Sequence, residues 1–212
     1  MMKKVLYFDL GGVVFNDFFS GGEVGLSRKL DIPSEQVVDA YIKTDKAEYC
    51  IGKISDQDRW KLFTDELGLD GSCVAICIDE YYKSYKPIEE TVDLIKELSL
   101  TSKFRLGILS DQPKGVTEYL RKNYQDIFAL FQPELTLISA ELGQSKKDQE
   151  LDIYRLAIKR SSTDIKDILF IDNSKTNIDN AKILDIGGYF FDICTYSSSK
   201  LVEALNDQIY EK

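Results

Sequence analysis

The chain has 212 residues, a length that fits one or two domains, and 43% of them are hydrophobic, enough for a buried core. It carries 27 Lys and Arg against 36 Asp and Glu, and this net charge of −9 argues against a protein that binds the nucleic-acid backbone. It has no histidine, which excludes Ser–His–Asp triads, Cys–His nucleophiles, His-ligated zinc and histidine acid–base catalysis. Any catalysis therefore has to use carboxylates, hydroxyls, lysines or cysteines.

The cysteines and the first residues indicate a reducing compartment. Cys50, Cys73, Cys77 and Cys194 follow no disulfide spacing, in a chain large enough to fold without disulfides. Cys73 and Cys77 are four residues apart on a predicted helix, but no second pair completes a tetrahedral zinc site, so we expect buried thiols. The apolar run at residues 5–8 is too short for a signal peptide or a membrane span. We expect a cytoplasmic protein with no membrane partner.

Five short apolar runs, each followed by a polar residue, predict the strands of a parallel sheet. They lie at residues 5–8, 106–109, 135–138, 168–171 and 189–191. Because apolar and polar residues do not alternate within them, these runs are typical of strands that helices cover on both faces. Amphipathic helical patterns separate the later runs, for example at Val92, Ile95 and Leu98. The alternation of strand and helix predicts an α/β domain with a Rossmann-like parallel sheet.

One long segment, about residues 16–84, interrupts this alternation. It contains helical patterns, such as those at residues 37–41 and around Trp60, and no convincing strand. We therefore predict a catalytic core made of residues 1–15 and 85–212, with an all-helical cap inserted after the first strand. An insertion there overhangs the carboxyl ends of the strands, where open α/β sheets bind their ligands, so we expect it to act as a lid.

Polar residues that follow the predicted strands form the candidate site. Asp9, Ser110 and Asp172 each come directly after an apolar run, and the loop before the next predicted helix adds Lys146 and Lys147. Because parallel strands point the same way, these side chains are expected to meet at one edge of the sheet. Two carboxylates, a hydroxyl and an ammonium suit phosphoryl transfer without histidine. One carboxylate attacks, a hard cation bridges the carboxylates and the phosphate, and serine and lysine bind the phosphate oxygens.

Four segments in this order resemble the motifs of the haloacid dehalogenase (HAD) superfamily, across essentially the whole chain. They are FDLGGV at residues 8–13, GILSD at 107–111, ELGQSKKD at 141–148 and FIDNS at 170–174. The resemblance implies a Rossmann-like core with a helical cap of the C1 type. It also implies a hydrolase with an aspartate nucleophile, in most cases a phosphatase of a small phosphorylated metabolite such as a sugar phosphate.

The resemblance further implies roles for individual residues. Asp9 would be the nucleophile and pass through an acyl-phosphate, and Ser110 and Lys146 would complete the catalytic set. Ser110, Asp111 and Lys146 would bind the substrate. Magnesium would be the cofactor, and its ligands would be Asp9, the backbone carbonyl of Gly11, Asp172 and Asn173.

Two positions depart from the family pattern and keep three functions open. Gly11 stands where most of the phosphatases have a second aspartate that protonates the leaving group, and Asn173 stands where a second acidic residue is often found. The dehalogenases of the superfamily lack that acid too, because a halide leaves without a proton. The site is therefore compatible with a magnesium-dependent phosphatase, a metal-free carbon–halogen hydrolase or a weakened site that only binds a ligand. Asp172 favours the phosphatase, because a metal-free dehalogenase has little use for another anion beside its nucleophile.

Overall fold

The protein is built on a single parallel sheet of five strands. A computed structural model describes residues 3–191 and residue 203, so Cys194 lies outside the described residues. The strands are β1 (Lys4–Phe8), β2 (Phe104–Ser110), β3 (Thr136–Ile138), β4 (Ile168–Asp172) and β5 (Gly187–Phe190). Their order across the sheet is β3-β2-β1-β4-β5, and every pair of neighbours is parallel. The predicted Rossmann-like sheet is confirmed.

After β1, up to residue 84, the chain forms helices and short turns. These helices are α1 (Gly22–Leu30), α2 (Ser34–Lys43), α3 (Ala47–Cys50), α4 (Asp56–Glu66) and α5 (Cys73–Ser84). We call this segment, from residue 18 to residue 84, the helical insert. Its position after the first strand is the predicted one, whereas its division from the core as a separate domain stays a prediction.

The remaining helices follow or precede the strands in alternation. They are α6 (Glu89–Ser99), α7 (Lys114–Asn123), α8 (Gln125–Phe128), α9 (Ser139–Leu142), α10 (Asp152–Ser161) and α11 (Lys175–Ile183). The pattern at Val92, Ile95 and Leu98 is the buried face of α6. Within the part of the chain that the structure describes, no helix is long and apolar enough to cross a membrane.

Both faces of the central strand are buried. Leu6 and Phe8 of β1 belong to one apolar cluster, which continues into the helical insert through Trp60, and Val5 and Tyr7 belong to a second cluster on the opposite face. Successive side chains of a strand point to opposite faces, so a strand that is buried on both sides has to be apolar throughout. This is the reason that uninterrupted apolar runs mark the strands of this chain.

The strand β5 and one of the cysteines differ from the predictions. β5 is half-buried along its whole length because it lies at the edge of the sheet. A Cβ at its Gly188 would lie 2.7 Å from Ile178 Cγ2, so glycine lets α11 pack closely on this strand. Cys77 is buried, but Cys73 is partly exposed, so the expectation of a buried thiol is wrong for Cys73.

Candidate active site

Four predicted site residues meet at the carboxyl edge of the sheet. Asp9 directly follows β1, Ser110 ends β2, Asp172 ends β4, and Lys146 lies in the loop between α9 and α10. The backbone N–H of Asp9 donates to the carbonyl of Ile171 at 2.9 Å, so pairing between β1 and β4 continues one residue past β1. The sheet itself therefore positions Asp9 beside Asp172.

The side chain of Lys146 joins the two carboxylates. Its Nζ donates to Asp172 Oδ2 at 2.6 Å and lies 2.9 Å from Asp9 Oδ1. The exposed fraction is 1% for Lys146, 0% for Asp172 and 7% for Asp9, so this ion-pair network is almost completely removed from water. Buried charges are tolerated when they are paired and hydrogen-bonded. Two carboxylates and one ammonium still leave an excess of negative charge, which favours a further cation.

This network sets the ionisation of Asp9 and Lys146. Burial raises the pKa of Asp9 to about 7, the charge of Lys146 opposes that rise, and the charge of Asp172 adds to it. Burial alone would lower the pKa of Lys146, but the charges of Asp172 and Asp9 outweigh burial and hold this pKa above its ordinary value. Lys146 is therefore a permanent cation at neutral pH.

Asp172 is held in place by its neighbours at the start of α11. Its Oδ1 accepts the backbone N–H of Ser174 at 2.6 Å, and its Oδ2 accepts the side-chain amide of Asn177 at 3.0 Å as well as Lys146. These donors fix the orientation of the Asp172 carboxylate. Asn177 Oδ1, by contrast, is buried without a hydrogen-bond partner in the described structure, although Asn177 lines the cavity above Asp9.

Asp111 contacts the loop of Lys146 and also lines the cavity, so its role in binding substrate stays a prediction. Its Oδ1 accepts the backbone N–H of Lys146 at 2.9 Å, and its Oδ2 accepts the hydroxyl of Ser145 at 2.8 Å. The backbone N–H of Ser145 in turn donates to Asp148 Oδ2 at 2.7 Å. The Asp111 carboxylate is thus committed to fixing the loop that carries Lys146.

Ser110 is enclosed beneath Asp9 and does not reach the cavity. It is fully buried, and its Oγ accepts the backbone N–H of Leu10 at 3.3 Å. A hydrogen bond between Ser110 and Asp9 works against the larger effect of burial and lowers the pKa of Asp9. The structure therefore places Ser110 against the nucleophile, and its contact with phosphate stays a prediction.

A cavity of about 470 Å³ lies above Asp9, between the edge of the sheet and the helical insert. This volume falls in the usual range for small-molecule sites. Its lining from the sheet side includes Asp9, Gly11, Asp111, Lys146 and Asn173. Its lining from the other side includes the aromatic residues Phe18, Phe19, Tyr41 and Tyr81 of the insert and Tyr85, which directly follows the insert. A ligand in this cavity would meet the nucleophile and the lysine on one side and aromatic rings on the other.

The predicted metal ligands offer oxygen donors of the kind that magnesium prefers. Asp9 and Asp172 supply carboxylates, and Gly11 and Asn173, which line the cavity, supply a backbone carbonyl and a side-chain amide. Gly12 has φ +72°, and a Cβ there would lie 2.0 Å from Asn173 Nδ2, so only glycine lets this loop approach Asn173. No group of three or more His, Cys, Asp or Glu in the described residues forms a metal cluster. Magnesium would therefore depend on water and phosphate for its other ligands.

Comparison with solved structures identifies the fold. The HAD family enzyme BT-2542 of Bacteroides thetaiotaomicron, in complex with magnesium and inorganic phosphate, matches with a TM-score of 0.68 at 21% identity, over 89% of this chain and 93% of that one. The chain has the haloacid dehalogenase fold. YfnB of Bacillus subtilis, assigned to the HAD hydrolases and bound to magnesium, matches with a TM-score of 0.72 at 17% identity, over 97% of this chain and 100% of that one.

The same fold includes dehalogenases. L-2-haloacid dehalogenase from Xanthobacter autotrophicus matches with a TM-score of 0.65 at 17% identity, over 97% of this chain and 83% of that one. No protein-family model matches the sequence, and no curated protein does. The haloacid dehalogenase fold predicted from the motifs is thus confirmed, and the choice between phosphatase and dehalogenase has to be argued from the site.

Three residues of the site were not predicted from the sequence. Ser145 holds Asp111 from a loop that is distant along the chain, whereas Asn177 holds Asp172 from the first turn of α11, only five residues away. Asp17, which lines the cavity, lies nine residues beyond the end of β1, two residues after the apolar residues 13–15.

Proposed function

We propose that this protein is a magnesium-dependent phosphatase of a small phosphorylated metabolite, with Asp9 as its nucleophile. The observation that supports this proposal best is the pairing of Asp9 with a second, fully buried carboxylate, Asp172, through one ammonium. The excess negative charge suits a divalent cation and a phosphate ester that arrive together. The fold match to BT-2542, crystallised with magnesium and inorganic phosphate, agrees with this proposal.

The proposed reaction has two steps at Asp9. In the first, an oxygen of Asp9 attacks phosphorus, a new O–P bond forms, and the bond from phosphorus to the ester oxygen breaks. In the second, water attacks the phosphorus of the acyl-phosphate and regenerates the Asp9 carboxylate. Lys146 lies 2.9 Å from Asp9 Oδ1 and would stabilise negative charge on the attacking and transferred oxygens. Bound magnesium would neutralise charge on the phosphate.

A dehalogenase is the second candidate. Gly11 has no acidic side chain that could protonate an alkoxide leaving group, and a halide leaves without a proton. The fold match to L-2-haloacid dehalogenase is consistent with this candidate. Asp172 argues against it, because a second anion next to Asp9 raises the pKa of the nucleophile and offers a halide nothing. A third candidate, a module that binds a ligand without turnover, is supported by the missing charges at Gly11 and Asn173.

One set of assays separates the three candidates. The purified chain is incubated with a panel of phosphorylated metabolites in magnesium and in EDTA, and with 2-haloacids in EDTA, while phosphate and halide release are measured. Phosphate release that requires magnesium and is lost in Asp9→Asn supports the phosphatase. Halide release in EDTA supports the dehalogenase. Neither product, with ligand binding retained in calorimetry, supports the binding module.

A further inference from the structure

The carboxylate of Asp17 lies beside Gly11, the position without a side chain next to the nucleophile. A Cβ at Gly11 would be 3.5 Å from Asp17 Cβ and 3.9 Å from Asp17 Oδ2, and all three residues, Asp9, Gly11 and Asp17, line the same cavity. Asp17 thus brings a carboxylate to the space that a side chain of residue 11 would enter. It lies eight residues after Asp9, in the segment that follows β1.

Hydrogen bonds hold this carboxylate in one orientation. Asp17 Oδ1 accepts the backbone N–H of Ser20 at 3.0 Å and the Ser20 hydroxyl at 2.7 Å, and Ser20 Oγ accepts the backbone N–H of Asp17 at 2.7 Å. This reciprocal capping box fixes the side chain. Both bonds to the carboxylate fall on Oδ1, so among the described residues nothing engages Oδ2 on the side of Gly11.

The other acids that line the cavity are committed or exposed. Asp9 is the proposed nucleophile, and Asp111 and Asp148 hold the loop of Lys146. Asp45 lines the cavity but is exposed to solvent. The tyrosine hydroxyls are poor proton donors, because burial raises the pKa of Tyr41, Tyr81 and Tyr85 above the ordinary value. Asp17 is left as the half-buried carboxyl with a free oxygen.

We propose that Asp17 is the general acid and base of the phosphatase reaction, an inference that rests on the proposed function. An alkoxide is a poor leaving group, so the ester bond breaks readily only if its oxygen receives a proton. In the first step, the proton passes from Asp17 Oδ2 to the ester oxygen as the Asp9 O–P bond forms, and the alcohol departs. In the second, the Asp17 carboxylate takes a proton from the attacking water while the bond from Asp9 to phosphorus breaks. Over the two steps Asp17 gives up one proton and takes up one, so it returns to its starting state.

The test compares esters whose leaving groups differ in their need for a proton. The variant Asp17→Asn keeps the acceptor oxygen for the bonds to Ser20, and Asp45→Asn removes the same charge from the same cavity as a matched control. For each, kcat/KM is measured with an alkyl phosphate and with p-nitrophenyl phosphate, whose phenolate leaves without a proton. This parameter reports the steps through the departure of the leaving group.

Asp17→Asn is expected to lower kcat/KM for the alkyl ester by about 10²–10⁴-fold and to change the nitrophenyl ester far less. Asp45→Asn should affect both esters by the same small factor. A loss of equal size for both esters in Asp17→Asn, or no loss, overturns the proposal. If Asp17→Asn does not fold, Ser20→Ala decides, because a loosened Asp17 carboxylate should also slow the alkyl ester selectively. Wild-type protein that hydrolyses no ester refutes the proposed function itself, whereas an active wild type without selectivity in the variants refutes only the role of Asp17.

Discussion

Replacing Lys146 by methionine tests the central electrostatic feature of the site. Methionine has a similar length and no charge, so Lys146→Met leaves Asp9 and Asp172 facing each other in a buried site. Removing one partner of a buried ion pair typically costs about 3–5 kcal/mol, and here a single ammonium serves two carboxylates. We therefore expect the free energy of unfolding to fall by about that amount in metal-free buffer.

The matched control is Lys147→Met, the same substitution at the adjacent, exposed lysine, which should change stability by less than about 0.5 kcal/mol. Urea denaturation of wild type and both variants, in EDTA and in magnesium, provides the measurement. Magnesium should recover part of the loss in Lys146→Met, because a cation between the carboxylates replaces the missing charge. If Lys146→Met is as stable as the control, Lys146 does not neutralise the buried carboxylates. If magnesium restores nothing, these oxygens do not form a metal site.

Three further substitutions probe the loop after β1. Asp9→Asn should abolish turnover without unfolding the protein, and retained activity would remove Asp9 from the role of nucleophile. Because the pKa of Asp9 is raised from 3.8 to about 7, metal-free wild type should lose stability as the pH rises from about 4 through 7, and urea titrations of Asp9→Asn should lack that part of the slope. Gly11→Asp should raise kcat/KM for an alkyl phosphate in the Asp17→Asn background, and a flat rate would count against a missing acid. Gly12→Ala should destabilise the protein by at least about 1 kcal/mol in thermal or urea unfolding, because its Cβ would meet Asn173 at a positive φ, and an unchanged midpoint would contradict that contact.

Patterns that depend on near neighbours in the chain were readable from the sequence. Serine before an amphipathic helical pattern is a common helix start, and Ser55 does cap α4 by accepting the backbone N–H of Asp58 at 3.1 Å. Ser34 precedes such a pattern too, but it is the first residue of α2 and makes no capping bond. Pro33 takes the capping position there, so the local pattern locates this helix start only to within one residue.

The sequence by itself determined the parallel sheet and the meeting of Asp9, Lys146 and Asp172 at its edge. Uninterrupted apolar runs are the composition that double-sided burial requires, and parallel strands bring their carboxyl ends to one side whatever else the chain does. These conclusions depend only on the pattern of apolar residues along each strand and on the parallel direction of the strands.

Tertiary structure decided which polar groups face the cavity and which support it. Ser110 lies beneath Asp9, Asp111 binds the loop of Lys146, and Asp17 reaches the space beside Gly11. Each of these outcomes depends on how loops far apart in the chain pack against one another within a few ångströms. Neighbouring polar residues look equivalent in a sequence, and only packing chooses which of them keeps an oxygen free for a ligand.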